Sequence, residues 1–128
     1  MDAEQRPARI VIAEDSLVDA ELAARAIRRH GILAEVVVAS SEEEFRAALR
    51  AARPDVIISD YSMAIMDGRI AFEIAIELAP NVPFIFLSGS VLKLAAGTNH
   101  VDGATACLDK SDLDKLGDAV LGALQRAK

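Results

Sequence analysis

Short apolar runs alternate with longer amphipathic stretches along the chain. Five runs are continuous, as in strands that are buried on both faces, and they cover residues 10–13, 36–39, 56–59, 84–87 and, more weakly, 104–108. Helical patterns cover residues 17–30, 42–52, 68–79 and 112–127, and a poorer pattern covers 91–96. Repeated strand–helix units of this kind predict an α/β domain with a parallel sheet and helices on both faces.

Local signals mark several helix boundaries. Gly31 is a good stop for the first helix, and Ser41 followed by Glu44 is a capping-box pattern at the start of the second. Pro80 ends the third helix. Residues 97–99 (Gly-Thr-Asn) interrupt the fourth pattern, so we expect a short or irregular helix there.

Composition and charge narrow the class of protein. A chain of 128 residues with 52% hydrophobic residues is the size and composition of one globular domain, so we expect a single domain over residues 1–128. The formal net charge of −6 argues against direct binding of nucleic acid. No apolar run is long enough to span a membrane, and a single cysteine fits a reducing cytoplasm, where we expect the protein. The sequence leaves the oligomeric state open.

Candidate chemistry lies directly after the predicted strands. Glu14 and Asp15 follow the first strand, Asp60 the third, Ser88 the fourth and Lys110 the fifth. The carboxyl ends of parallel strands meet at one edge of a sheet, and ligands of such sheets bind at that edge. We therefore expect three carboxylates, one hydroxyl and one ammonium to lie together.

This set of side chains suits phosphoryl transfer onto a carboxylate. Carboxylates that crowd together repel one another unless a cation is present, and Mg²⁺ prefers oxygen ligands. The ammonium of Lys110 and the hydroxyl of Ser88 could contact a phosphoryl group. Each residue alone has an ordinary explanation, since an acid such as Asp15 often caps a helix and a serine often occupies a turn. The combination is what favours a site.

Four segments resemble those of a known family, both in their order along the chain and in the spacing between them. They are residues 10–16 (IVIAEDS), residues 55–60 (DVIISD) followed by Met66-Asp67-Gly68, residues 86–89 (FLSG), and Lys110, which falls 22 residues after Ser88. Together they resemble the receiver domain of two-component response regulators. The resemblance extends from Arg9 to Gln125.

The resemblance implies a fold and a reaction. The fold would be a flavodoxin-like doubly wound (βα)5 domain, with a five-stranded parallel sheet in the order 2-1-3-4-5. Asp60 would accept a phosphoryl group from a phosphohistidine on a sensor histidine kinase or a histidine phosphotransfer domain, as in bacterial phosphorelays. Ser88 and Lys110 would contact that group. The domain would catalyse its own phosphorylation and dephosphorylation, and it would shift conformation to signal to a downstream partner or a covalently linked domain.

The resemblance also implies a metal site. Asp15, Asp60 and the backbone carbonyl of Ser62 would bind Mg²⁺ directly, and Glu14 would act through water.

Three positions depart from the family pattern. Ser111 stands where a proline commonly follows Lys110, Cys107 stands where an aromatic residue is common, and Ala64 replaces another common proline. A cis bond before Ser111 would cost about 3 kcal/mol, so we expect an altered loop after the fifth strand. The first two departures leave open a second hypothesis, a pseudo-receiver that binds partners without being phosphorylated.

Two further classes fit the sequence less well. A phosphatase with an aspartate nucleophile would resemble Asp-x-Asp after the first strand, a pattern that Glu14-Asp15-Ser16-Leu17 lacks. An FMN carrier would need an uncharged phosphate loop there and aromatic residues around the flavin, but the chain has one Tyr, four Phe and no Trp.

Overall fold

Strands and helices alternate along residues 6–60, 68–88 and 106–126, which are the residues that the computed structural model describes. The strands are β1 (Ala8–Ala13), β2 (Ala34–Ala39), β3 (Val56–Asp60), β4 (Phe84–Ser88) and β5 (Ala106–Asp109). The helices are α1 (Leu17–Arg29), α2 (Glu42–Ala51), α3 (Gly68–Leu78) and α4 (Leu113–Arg126). The predicted helical segment 91–96 lies outside the described residues. The helix labelled α4 therefore corresponds to the fifth predicted helical segment, residues 112–127.

The strands form one parallel sheet in the order β2-β1-β3-β4-β5. This is the doubly wound order expected from the sequence, and the predicted fold is confirmed. Every residue of β3 and β4 is buried, which explains why these strands are almost continuous apolar runs. In the structure, β1 begins two residues before its predicted start. Asp60 is the last residue of β3 and Ser88 is the last residue of β4, whereas the sequence placed both directly after these strands.

Alternate residues of the strands point into two separate hydrophobic layers. On one face, Val11, Ile57 and Phe86 pack with buried residues of α2 and α3. On the other, Ile12 and Ile58 pack with buried residues of α1 and α4. The helices therefore cover both faces of the sheet, as predicted, and leave its carboxyl edge for polar groups.

The predicted helix boundaries are largely confirmed. Gly31 has a φ of +87°, a conformation that suits glycine, and it follows the C-cap residue His30. Ser41 caps α2 and accepts a hydrogen bond from the Glu44 backbone N–H at 3.1 Å. The Glu44 carboxylate accepts from the backbone N–H of Ser40 at 2.8 Å, one residue before the position that a standard capping box uses.

Among the helices of the described residues, none combines the length and apolar character needed to cross a membrane.

Candidate functional site

The carboxyl edge of the sheet gathers the residues that the sequence singled out. Glu14 directly follows β1, and Asp60 ends β3, the strand paired with β1 through Ala13 and Ser59. Ser88 ends β4, where it pairs with Asp109 of β5. The order of strands thus places side chains that are far apart in the sequence along one short edge.

Three carboxylates meet at this edge. Glu14, Asp15 and Asp60 each offer a carboxylate oxygen, and these oxygens all lie within 4.8 Å of one another. Glu14 and Asp60 are buried, with 3% and 5% of their surface exposed, while Asp15 is half-buried. Burying charged carboxylates is costly unless cations or hydrogen-bond donors stabilise them.

Lys110 supplies a positive charge to this cluster. Its Nζ lies 3.0 Å from Glu14 Oε1 and 3.2 Å from Asp60 Oδ2. Its backbone N–H donates to the carbonyl of Ser88 at 2.8 Å, which holds the start of the loop after β5 against the end of β4. The predicted approach of Lys110 to the acids is therefore present in the structure.

Burial and neighbouring charges alter the protonation of both partners. Burial raises the pKa of Glu14 to about 7, and the charge of Asp60 adds to that rise, although hydrogen bonds from Lys110 and from the Ser16 backbone oppose it. Burial also lowers the pKa of the Lys110 ammonium. Hydrogen bonds to Asp19 and Glu14, together with the charges of Glu14 and Asp60, outweigh burial and leave the pKa of Lys110 above its usual value. Lys110 is therefore a firmly charged cation in this site.

The structure adds an acid that the sequence reasoning missed. Asp19 Oδ2 accepts a hydrogen bond from Lys110 Nζ at 2.8 Å, the shortest of the three contacts of that ammonium with carboxylates. Asp19 lies in the first turn of α1, four residues after Asp15, and its side chain is 39% exposed. The sequence does show Asp19 in the first helical turn after the acidic pair. Acids are common in a first turn because they interact favourably with the helix dipole, so this position by itself did not indicate a role in the site.

Ser88 and Ser62 differ in what the structure says of them. Ser88 is buried at the end of β4, beside the strand that carries Asp60. Ser62, whose carbonyl is a predicted metal ligand, lies outside the described residues.

The loop after β5 is built around Ser111. Its backbone N–H and its hydroxyl both donate to Asp109 Oδ1 at 2.8 Å. The Asp112 N–H donates to the Asp109 carbonyl at 2.9 Å, which closes a tight turn. A proline at position 111 would lack the first of these donors, so the loop uses the chemistry of serine. Cys107, three residues before Lys110, is half-buried and packs against the Phe86 layer.

The donor set fits a hard divalent cation. Three carboxylates that can converge on one point match the oxygen ligands that Mg²⁺ prefers. The pKa of Glu14 is raised because this acid is buried and lies beside Asp60. A bound cation would offset the free-energy cost of charging the buried carboxylate. The residues present therefore suit the metal that the sequence led us to expect.

The sheet order and the acidic pocket at its carboxyl edge define a flavodoxin-like α/β protein. A model of the response regulator receiver domain matches residues 10–121, and the chain belongs to that family. Receiver domains of two-component systems generally bind Mg²⁺ through an acidic pocket and pair with histidine kinases or phosphotransfer proteins. A search of curated proteins found no match.

Solved structures support the fold. A putative response regulator from Chloroflexus aurantiacus is 26% identical with a TM-score of 0.78, over 94% of this chain and 100% of that one. The chemotaxis response regulator CheY4 of Vibrio cholerae is 26% identical with a TM-score of 0.70, over 96% and 100% of the two chains. The Francisella response regulator 1452 receiver domain is 24% identical with a TM-score of 0.76, over 94% and 99%.

Proposed function

We propose that this domain is a phosphoacceptor switch in which Asp60 receives a phosphoryl group from a phosphohistidine. The donor would be a sensor histidine kinase or a histidine phosphotransfer domain. The observation that carries the proposal is the setting of Asp60: a buried carboxylate with the Lys110 ammonium 3.2 Å away and two other carboxylates within 4.8 Å. Family membership over residues 10–121 supports the same function.

Mg²⁺ fits the proposed site as its cofactor. Asp15 and Asp60 would hold it directly, with the Ser62 carbonyl as an expected further ligand, and Glu14 would act through water. When bound, Mg²⁺ would supply positive charge that offsets the charge on the phosphoryl oxygens.

The residues of the chain have distinct roles in the proposed reaction. A carboxylate oxygen of Asp60 attacks phosphorus, an O–P bond forms, and the N–P bond of the phosphohistidine breaks, leaving a histidine that takes up a proton. The Lys110 ammonium, held at the edge by its backbone bond to Ser88, donates to a phosphoryl oxygen. The hydroxyl of Ser88, which ends the adjacent strand β4, would donate to another phosphoryl oxygen. Hydrolysis of the aspartyl phosphate at the same site would reset the switch.

The phosphorylated state would act through a change of conformation that a downstream protein or a linked domain reads. A phosphoryl group beside Lys110 changes the charge that this lysine balances at the ends of β1 and β3. In the described part of the chain, the loop that follows β5 is tied to Lys110 through the Asp109–Ser111 turn, so we expect this loop to respond.

Two residues favour an alternative, a pseudo-receiver that binds partners without phosphorylation. Ser111 and Cys107 replace side chains through which receivers commonly couple the site to their surface. The acids and the lysine of the reaction are nonetheless together at the edge, which favours the first function.

The test is the intact mass after incubation with Mg²⁺ and acetyl phosphate. We expect the parent to gain one phosphoryl group, the gain to vanish in Asp60→Asn and with EDTA, and Asp114→Asn, an exposed first-turn acid of α4, to behave as the parent. A folded parent that gains no mass with any small donor would refute the switch in favour of the pseudo-receiver.

A further inference from the structure

The ammonium of Lys110 is shared among three carboxylates that belong to two different structural groups. Glu14 and Asp60 lie at the strand edge and are members of the acidic cluster, at 3.0 and 3.2 Å. Asp19 comes from helix α1 and makes the shortest contact, 2.8 Å. An ammonium has three N–H donors, so these contacts can use all of them.

We propose that Asp19 is a positioning residue for Lys110. It would hold the lysine ammonium beside Asp60 while a divalent cation is bound in the acidic cluster. This inference rests on the proposed phosphoacceptor function and adds a residue to it. The chemistry assigned to Asp60 and Lys110 is unchanged. Asp19 would not touch the phosphoryl group and would act only through the lysine.

The reason lies in which carboxylates a cation would engage. Glu14 and Asp60 have oxygens within the three-acid cluster, so a bound divalent cation would compete with Lys110 for them and would repel its charge. Asp19 is not a member of that cluster in the described part of the chain. Its contact with Lys110 is the one that cation binding leaves in place, and it therefore determines where the ammonium stands when a phosphoryl group arrives.

The start of α1 prepares Asp19 for this role. Ser16 caps the helix, and its hydroxyl accepts from the Asp19 backbone N–H at 3.2 Å, which fixes the backbone of Asp19 in the first turn. The Ser16 side chain thus caps the helix, so the Asp19 carboxylate is not needed as the cap. It points instead to a lysine 91 residues away in the sequence. An acid that served only the helix dipole would need no such partner.

The experiment measures the rate of phosphoryl gain from acetyl phosphate at saturating Mg²⁺. The variants are Asp19→Asn, Lys110→Met, the double variant, and Asp114→Asn as a first-turn acid on another helix. We expect Asp19→Asn to slow the gain about three- to tenfold and Asp114→Asn to leave it unchanged. In the Lys110→Met background, Asp19→Asn should slow it by less than about twofold, because its partner is already gone.

A second measurement does not depend on phosphorylation. The four members of the cycle (parent, the two single variants and the double variant) are unfolded in urea with Mg²⁺ present, and we expect their unfolding constants to be non-additive by about threefold or more. Additive constants, an Asp19→Asn rate equal to that of the parent, or an equal slowing in the Lys110→Met background would each overturn the inference. A parent that takes up no phosphoryl group would instead refute the proposed function, a distinct result.

Discussion

Lys110 is the residue on which the charge balance of the site depends. Its Nζ is within 3.2 Å of oxygens from Glu14, Asp19 and Asp60, and the side chain is only 23% exposed. At such distances and with little water, the interaction of each pair is stronger than on a protein surface. Two of these acids are expected cation ligands, so the lysine and the cation act on the same carboxylates.

Removal of the lysine charge should tighten the binding of Mg²⁺. Lys110→Met deletes a positive charge about 3 Å from Glu14 and Asp60, and we expect the dissociation constant for Mg²⁺ to fall by about tenfold, roughly 1.4 kcal/mol. Isothermal titration calorimetry measures it, with Lys115→Met, an exposed lysine of α4, as the control that leaves the constant unchanged. Weaker binding in Lys110→Met would show that the lysine organises the acids more than it repels the cation.

The packing of α1 against α4 is the element-level feature that brings Asp19 and Lys110 together. α1 carries Asp19 in its first turn, and α4 begins three residues after Lys110. At the other end of α1, the His30 side chain lies over Gly117 of α4, and His30 Nε2 is 2.8 Å from Asp118 Oδ1. The two helices can approach closely here because Gly117 has no side chain.

A methyl group at this crossing should separate the helices. In Gly117→Ala the new Cβ would lie 2.6 Å from His30 Cγ, so we expect a loss of about 1–3 kcal/mol in the free energy of unfolding, despite the better helix propensity of alanine. Gly122→Ala is the matched control, since its Cβ would meet only the flexible end of Arg126 at 3.4 Å. We expect it to stabilise α4 by up to about 1 kcal/mol.

Urea unfolding checks both glycine variants. His30→Ala should remove the obstacle, so that Gly117→Ala costs little in that background. An equal loss with and without His30 would show that the close contact at this crossing is not the cause.

At the scale of the whole molecule, burial of Glu14 makes folding depend on pH. Burial raises the pKa of Glu14 from 4.5 to about 7 in the folded protein. Between these two values the folded state keeps a proton that the unfolded chain has released. The contribution of Glu14 to stability is therefore fully present below about pH 4.5 and is lost as the pH rises through about 7.

The metal-free protein should accordingly lose stability between pH 5 and pH 8. We expect the free energy of unfolding in EDTA to fall over this range more steeply in the parent than in Glu14→Gln, which cannot ionise. Mg²⁺ should reverse the trend in the parent, because a bound cation favours the charged carboxylate. Urea unfolding at four pH values measures this, and parallel curves for parent and variant would contradict the assignment to Glu14.

Much of the fold could be predicted because its signals are local. Continuous apolar runs located the strands, and Ser41, Glu44 and Gly31 located helix ends through bonds and torsions within a few residues. Strand ends were less accurate, since they depend on pairing: β5 ends at Asp109, which pairs with Ser88, one residue beyond the predicted end. An altered loop after β5 stays a prediction, and the hydrogen bonds that Ser111 donates to Asp109 in its turn became visible only in the structure.

The sequence by itself determined the order of strands and helices and which chemical groups follow each strand, because both follow from the periodicity of side chains along a short stretch of backbone. The tertiary structure alone decided that Asp19 joins Glu14 and Asp60 on Lys110, and that burial raises the pKa of Glu14. Contact and burial depend on how α1, α4 and the sheet pack, and residues 91 positions apart meet only when that packing is complete.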